Sequence, residues 1–145
     1  MSNWLSKSDQ SFSIANNNDP AMLNNRVHCF YYGCVQYLFH LLHVDKKMTE
    51  QEISDKCNPN VNKGNGGTHT WLAQFFFNDL KNKTFVLEGV SFNNKIGMLK
   101  RLRTDADYGL NDINEDQLKT AKEISETIIK ILKRRYTNDQ PNTVS

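Results

Sequence analysis

The segment KRLRTDADY, residues 100–108, contains the side chains that could do chemistry most directly. On a helix, Arg103 and Asp107 are four residues apart and lie on the same side within about one turn. The neighbouring Leu99 and Ala106 place this side close to the core, so we expect Arg103 at the edge of the packed face. A guanidinium held there could bind a phosphate through two parallel hydrogen bonds. The alternative is an intrahelical ion pair beside a solvated basic flank.

A second candidate is the glycine-rich segment KGNGGTHT, residues 63–70, which contains His69. It lacks the Gly-Lys-Ser/Thr ending and the preceding strand of a P-loop, so a phosphate cradle of that kind is not indicated. His69 lies where the segment meets a helix start, a position that exposes a side chain and leaves free N–H groups for an anion. The alternative interpretation is a capping or surface histidine.

The remaining histidines do not indicate a metal site. His40 and His43 are three residues apart and share a helix face, but no carboxylate follows at partner spacing and no CxxC motif occurs. We interpret both, and His28, as residues at the edge of the core, and we expect neither a metal nor a cofactor. The cysteines are odd in number and are expected to be reduced, and no serine or cysteine has a recognisable base near it.

The element that must position these candidates is a long helix predicted over Asp19–Val44. Asp19 can cap its first turn, and Pro20 suits the first helical position. Apolar residues at spacings of three and four cover most of its circumference, which indicates burial by other segments or by a partner. They include Val27, Phe30, Tyr31, Cys34, Leu38 and Leu41.

Periodicity and capping signals predict further helices around it. The expected ranges are Asn3–Asn16, Thr49–Cys57, a helix from Thr68 or Thr70 to about residue 80, a helix capped by Ser91 or Asn94, and a final helix capped by Asn114. Between them, residues 81–90 are expected to form a loop, although TFVLEGV could also form a short strand.

The predicted fold class is therefore all-α, an up-and-down bundle of about five helices. We expect a single domain over residues 1–136 and a disordered tail over residues 137–145. The net charge of +2 argues against a protein that binds nucleic acid over its whole surface, but allows a local basic patch. No apolar signal core and no bilayer-spanning run occur, so we expect a cytoplasmic protein without membrane association.

Three stretches together resemble the HEPN superfamily (higher eukaryotes and prokaryotes nucleotide-binding domains). The first is NRVHCFYYGCVQYLFHLL, which is similar to the long helix of that family with its aromatic pair and following small residue. The second is GGTHTWLAQFF, similar to its loop and helix. The third is LKRLRTDADYGLNDINEDQLKTAKEISETIIKIL, which resembles the last two helices and contains an RxxADY motif starting at Arg103.

The resemblance implies a HEPN-like bundle, usually a homodimer, with the arginine helices facing a shared cleft. Many family members are metal-independent RNA-cleaving toxins or defence proteins, with a histidine shortly after the functional arginine. Here Arg103 occupies the arginine position, Tyr108 stands five residues later, and no histidine follows. Neither tyrosine nor aspartate titrates near neutral pH without a large pKa shift.

Two functions remain open from the sequence. The preferred one is a non-catalytic HEPN-like module that binds a nucleotide, an RNA or a protein partner, in a toxin–antitoxin or phage-defence setting. Its ligand-binding residues would be Arg103, Asp107, Tyr108 and His69. The alternative is a divergent metal-independent endoribonuclease in which His69 supplies the missing imidazole beside Arg103.

Overall fold

The computed structural model describes residues 3–57 and 67–136, which form six α-helices, one short 3₁₀ turn and no strand. The all-α bundle expected from the sequence is confirmed, with one helix more than the five predicted. The helices are α1 (Trp4–Ala15), α2 (Leu23–Val44), α3 (Glu50–Cys57), α4 (Thr68–Asn82), α5 (Val86–Tyr108) and α6 (Glu115–Arg135). The predicted tail and residues 63–66 of the glycine-rich segment lie outside the described residues.

Helix α2 is the centre of the bundle and packs against α1, α4, α5 and α6. Its start differs from the prediction, because Pro20–Met22 form a 3₁₀ turn and the α-helix begins at Leu23. The Asp19 side chain does cap this turn, accepting a hydrogen bond from the Ala21 N–H at 2.9 Å. On the α1 side, Gly33 lets the two helices approach closely. A β-carbon there would lie 2.7 Å from the Phe12 ring.

The prediction of a loop over residues 81–90 is wrong for much of that range. Helix α4 continues to Asn82 and α5 already begins at Val86, well before the predicted caps Ser91 and Asn94. A tertiary contact stabilises this early start, since Glu88 forms ion pairs with Arg134, at 3.0 Å, and with Arg135. The first turn of α5 is thereby attached to the last turn of α6.

Helix α6 begins as predicted. The Asn114 side chain accepts a hydrogen bond from the Gln117 N–H at 2.8 Å, and the Gln117 side chain accepts one from the Asn114 N–H at 2.9 Å. This reciprocal pair is a capping box, which satisfies two otherwise free donors. The apolar stripe predicted for α6 is buried at Leu118, Ala121, Ile124, Ile128 and Leu132.

Within the described ranges, none of the helices combines the length and the apolar character that crossing a bilayer requires.

Candidate functional site

Arg103 lies on α5 with its side chain against α2. Its Nη2 donates a hydrogen bond to the Tyr32 hydroxyl at 3.1 Å, and its Cζ is 5.3 Å from the ring centroids of both Tyr31 and Tyr32. Only 13% of the side chain is exposed. The expected position at the edge of the core is therefore correct, and the guanidinium is held by two aromatic rings of the neighbouring helix.

The end of α5 is fixed to α2 by Asn24. The Asn24 amide donates to the Ala106 carbonyl at 2.8 Å, and its oxygen accepts a hydrogen bond from the Ile113 N–H at 3.0 Å. One side chain of α2 thus satisfies backbone groups both near the end of α5 and before α6. This attachment holds the turn that contains Arg103 and Asp107 in a constant position relative to the tyrosines.

Asp107 is shared between two partners. Its Oδ2 lies 3.7 Å from Arg103 Nη1, which is long for an ion pair, but 2.9 Å from Nδ1 of His28, with Oδ1 at 3.1 Å from the same nitrogen. The intrahelical pair considered from the sequence is present in this loose form. The closer contact of Asp107 is to α2, so the carboxylate leaves much of the donor capacity of Arg103 unused.

His69, in the first turn of α4, contacts the same two tyrosines as Arg103. Its Nδ1 is 2.9 Å from the Tyr31 hydroxyl, and its ring centroid is 5.4 Å from that of Tyr31 and 5.6 Å from that of Tyr32. His69 and Arg103 thus contact the same pair of tyrosines within one chain. Gly67 precedes this turn with φ 93° and ψ 176°.

The electrostatics of His69 favour its neutral form. Burial, and after it the positive charges of Arg103 and Lys100, lower the pKa of His69 below its ordinary value, so the imidazole is neutral at neutral pH. Burial raises the pKa of Tyr31, an effect that Arg103 partly opposes. The Tyr31 hydroxyl therefore keeps its proton, and its oxygen can accept a hydrogen bond from Nδ1–H of His69. In that tautomer Nε2 carries no proton and is the nitrogen that can accept one.

The structure brings together three of the four predicted ligand-binding residues, namely Arg103, Asp107 and His69. Tyr108, at the last position of α5, is 76% exposed and is not among the residues that these contacts join. Its role in ligand binding stays a prediction. Three further residues complete the site, and we call the resulting set the Arg103 cluster: His28, Tyr31, Tyr32, His69, Arg103 and Asp107.

The sequence analysis missed the contribution of α2 to this cluster. His28 was interpreted as an edge residue of the core, but its ring stacks on Tyr32 with centroids 4.5 Å apart and is anchored by Asp107. A signal was present, because His28, Tyr31 and Tyr32 are three and four residues apart and share a face of α2. Which helix would cover that face could not be read from the spacing.

His40 and His43 lie on the second half of α2, away from the Arg103 cluster. His40 is buried on α2, and His43 Nε2 lies 3.3 Å from Glu50 Oε2 across the α2–α3 connection. In the part of the chain that the structure describes, no three histidine, cysteine, aspartate or glutamate side chains are grouped so that they could hold a metal ion. All three cysteines are free thiols.

A scan against protein-family models, a search of curated proteins and a search of solved structures each found no match to this chain. A functional assignment therefore depends on the chemistry of the Arg103 cluster. That cluster combines one guanidinium with spare donors, one carboxylate, two imidazoles and two phenols.

Proposed function

We propose that this protein is a HEPN-like helical module that binds a phosphate-bearing ligand, a nucleotide or an RNA, through Arg103. The observation that carries the proposal is the unfilled donor set of Arg103. Its Nε is buried without a hydrogen-bond partner among the described residues, and only Nη2 has a short one. Buried donors are nearly always satisfied in folded proteins, so this guanidinium is suited to receive an acceptor from outside the chain.

A phosphate matches this site better than the carboxylate of a protein partner does. The aromatic rings around Arg103 offer surfaces for a base as well, since Tyr32 is half-buried and 38% of the His28 side chain is exposed. Stacking on such rings contributes about 1–3 kcal/mol per base in proteins that bind single strands. A ligand that contains both a phosphate and a base would therefore use more of the cluster than an acidic peptide would.

Replacing Arg103 by methionine tests the binding proposal. We expect binding of a short RNA, and of a nucleoside monophosphate, to weaken by about ten- to a hundredfold at low salt, because the charge-assisted bonds to phosphate are lost. The measurement is fluorescence anisotropy with a labelled oligonucleotide and competition by the nucleotide.

The matched control is Arg101→Met. Arg101 lies on the same helix, two residues earlier, and is exposed, so the variant loses the same formal charge outside the cluster. We expect its affinity to change by less than about threefold. An equal loss in both variants would mean that net charge, and not the site, determines binding.

A second function is favoured by the position of His69, namely metal-independent cleavage of RNA. The helix of Arg103 lacks a histidine, and from the sequence alone this favours a non-catalytic module. In the folded chain, α4 places a neutral imidazole on the same tyrosine pair as Arg103. A neutral imidazole can accept a proton at neutral pH, which a general base requires.

An RNA-cleavage assay on the wild type, His69→Asn and Arg103→Ala tests this second function. Asparagine can keep a hydrogen bond to the Tyr31 hydroxyl but cannot take up a proton, so we expect a rate about 10²- to 10⁴-fold lower. His43→Asn is the control, since His43 contacts Glu50 and no member of the cluster. Equal background cleavage in all the proteins would end the ribonuclease proposal and would leave the binding proposal intact.

A further inference from the structure

We propose that His28, anchored by Asp107, is the general acid of the Arg103 cluster, so that RNA would be cleaved between two imidazoles with different roles. The inference rests on the ribonuclease function proposed above and adds a catalytic residue that no sequence motif indicates. It is carried by the contacts of His28 with Asp107 and Tyr32 and by the different charges that surround the two histidines.

The contact with Asp107 determines which nitrogen of His28 can exchange a proton. Both carboxylate oxygens lie within 3.1 Å of Nδ1, and an ionised carboxylate only accepts hydrogen bonds. Nδ1 therefore carries a proton in either protonation state, and Nε2 is the nitrogen that gains or loses one. The acid step starts from the imidazolium form, in which Nε2 also carries a proton and can donate it to a ligand. The stack on Tyr32, with ring planes 29° apart, keeps the ring in this orientation.

The two histidines differ in the sign of the charged groups nearest to their rings. His28 has a carboxylate against its ring nitrogen, whereas the charges that act on His69 are the cations Arg103 and Lys100. Pairs of titratable groups in contrasting environments are the usual arrangement of an acid and a base in one site. The acid role therefore goes to His28 and the base role to His69. Arg103 contacts the same Tyr32 ring as both histidines.

The reaction that fits these groups is an internal transfer within RNA. The 2′-hydroxyl oxygen attacks the adjacent phosphorus and its proton passes to Nε2 of His69. The bond from phosphorus to the 5′ oxygen breaks, and that oxygen takes the proton from Nε2 of His28. The products are a 2′,3′-cyclic phosphate and a 5′-hydroxyl. The nucleophile belongs to the substrate, and Arg103 would stabilise the negative charge that builds up on the phosphoryl oxygens.

Two substrates that differ in their need for an acid test the assignment. Uridylyl-adenosine has an alkoxide leaving group that must be protonated, whereas the nitrophenolate of uridine 3′-(4-nitrophenyl phosphate) leaves without a proton. We expect His28→Asn to slow cleavage of the dinucleotide by about 10²- to 10⁴-fold but cleavage of the nitrophenyl ester by less than about tenfold. His69→Asn should slow both reactions, because the base acts on the 2′-hydroxyl in each.

Two further variants separate the proton transfer from a structural role of His28. Added imidazole should restore part of the dinucleotide rate of His28→Ala, and should not restore that of Arg103→Ala. Asp107→Asn should reduce the dinucleotide rate more than the ester rate, since asparagine still accepts from Nδ1–H but without the charge. Thermal unfolding of each variant shows that the fold is retained.

Several results would overturn the assignment. Equal losses on both substrates in His28→Asn would show that His28 positions its neighbours and donates no proton, and an unchanged dinucleotide rate would exclude it altogether. If the wild type cleaves neither substrate, the acid assignment and the ribonuclease function fail together. Binding of a 2′-deoxy dinucleotide that depends on Arg103 would then show that the phosphate-binding proposal still holds.

Discussion

Replacing Phe76 by alanine is expected to lower the free energy of unfolding by about 3–5 kcal/mol. The side chain is fully buried on α4, and its ring meets that of Tyr136 edge to face, with centroids 5.5 Å apart. Truncation removes the buried ring and leaves a cavity between α4 and the end of α6, which the surrounding helices cannot close. Since small domains are stable by about 5–15 kcal/mol, this single change would remove a large fraction of the total.

Urea denaturation followed by far-UV circular dichroism measures this effect. Phe77→Ala is the matched control, because the neighbouring residue has the same side chain on another face of α4 and is only half-buried, with the Lys81 ammonium 4.3 Å from its ring centroid. We expect Phe77→Ala to cost less than about 1.5 kcal/mol. Equal losses in the two variants would contradict the packing described for α4.

Replacing Asp79 by alanine should lower the free energy of unfolding by about 2–3 kcal/mol. Asp79 accepts a hydrogen bond from Lys46 Nζ at 2.7 Å and one from the Tyr136 hydroxyl at 2.5 Å, and so connects α4 to the residues that follow α2 and α6. Removing one partner of a buried charge pair costs about 3–5 kcal/mol. Here both charged side chains are about one-fifth exposed, so solvent reduces the cost.

A double-mutant cycle with Tyr136→Phe measures how much of the loss in Asp79→Ala comes from the hydrogen bond between Asp79 and the Tyr136 hydroxyl. The Tyr136 side chain is buried, and burial together with the bond to Asp79 raises the pKa of its hydroxyl, which therefore remains a donor. Asp79→Ala leaves that hydroxyl without its acceptor. We expect the substitution to cost about 1 kcal/mol less in the Tyr136→Phe background. Fully additive effects would mean that the two groups contribute independently.

The helices that the sequence predicts best are those with local signals at both ends. Helix α6 has its capping box, an apolar stripe and a basic last turn, and each of these acts within a few residues. The beginning of α5 has no such signal, since Val86 and Val90 favour a strand locally and Gly89 weakens a helix. What stabilises the helix there is Glu88 with the arginines of α6, and this partnership spans more than forty residues of sequence.

In the candidate site, too, the features set by local sequence could be predicted, whereas those set by contacts between helices could not. The position of Arg103 at the core edge could be predicted, because the spacing of apolar residues in one helix determines which side is buried. The identity of its neighbours depends on how α2, α4 and α5 pack against one another. His28 and Asp107 are separated by 79 residues, and Tyr31 and His69 by 38. Single-helix periodicity contains no information on such pairs.

Gly67, the residue before α4, has a backbone conformation on which the position of His69 depends. Its dihedral angles belong to a region that essentially only glycine occupies. Among the described residues that are not its neighbours in the chain, no atom lies within 4 Å of where its β-carbon would be. The requirement for glycine thus comes from the backbone conformation, and not from a steric contact with the described helices. We expect any other residue at position 67 to change the backbone direction at the start of α4, and with it the orientation of the His69 imidazole. The packing of the helices should be retained. The orientation of the His69 side chain thus depends on the backbone conformation of a residue two positions earlier.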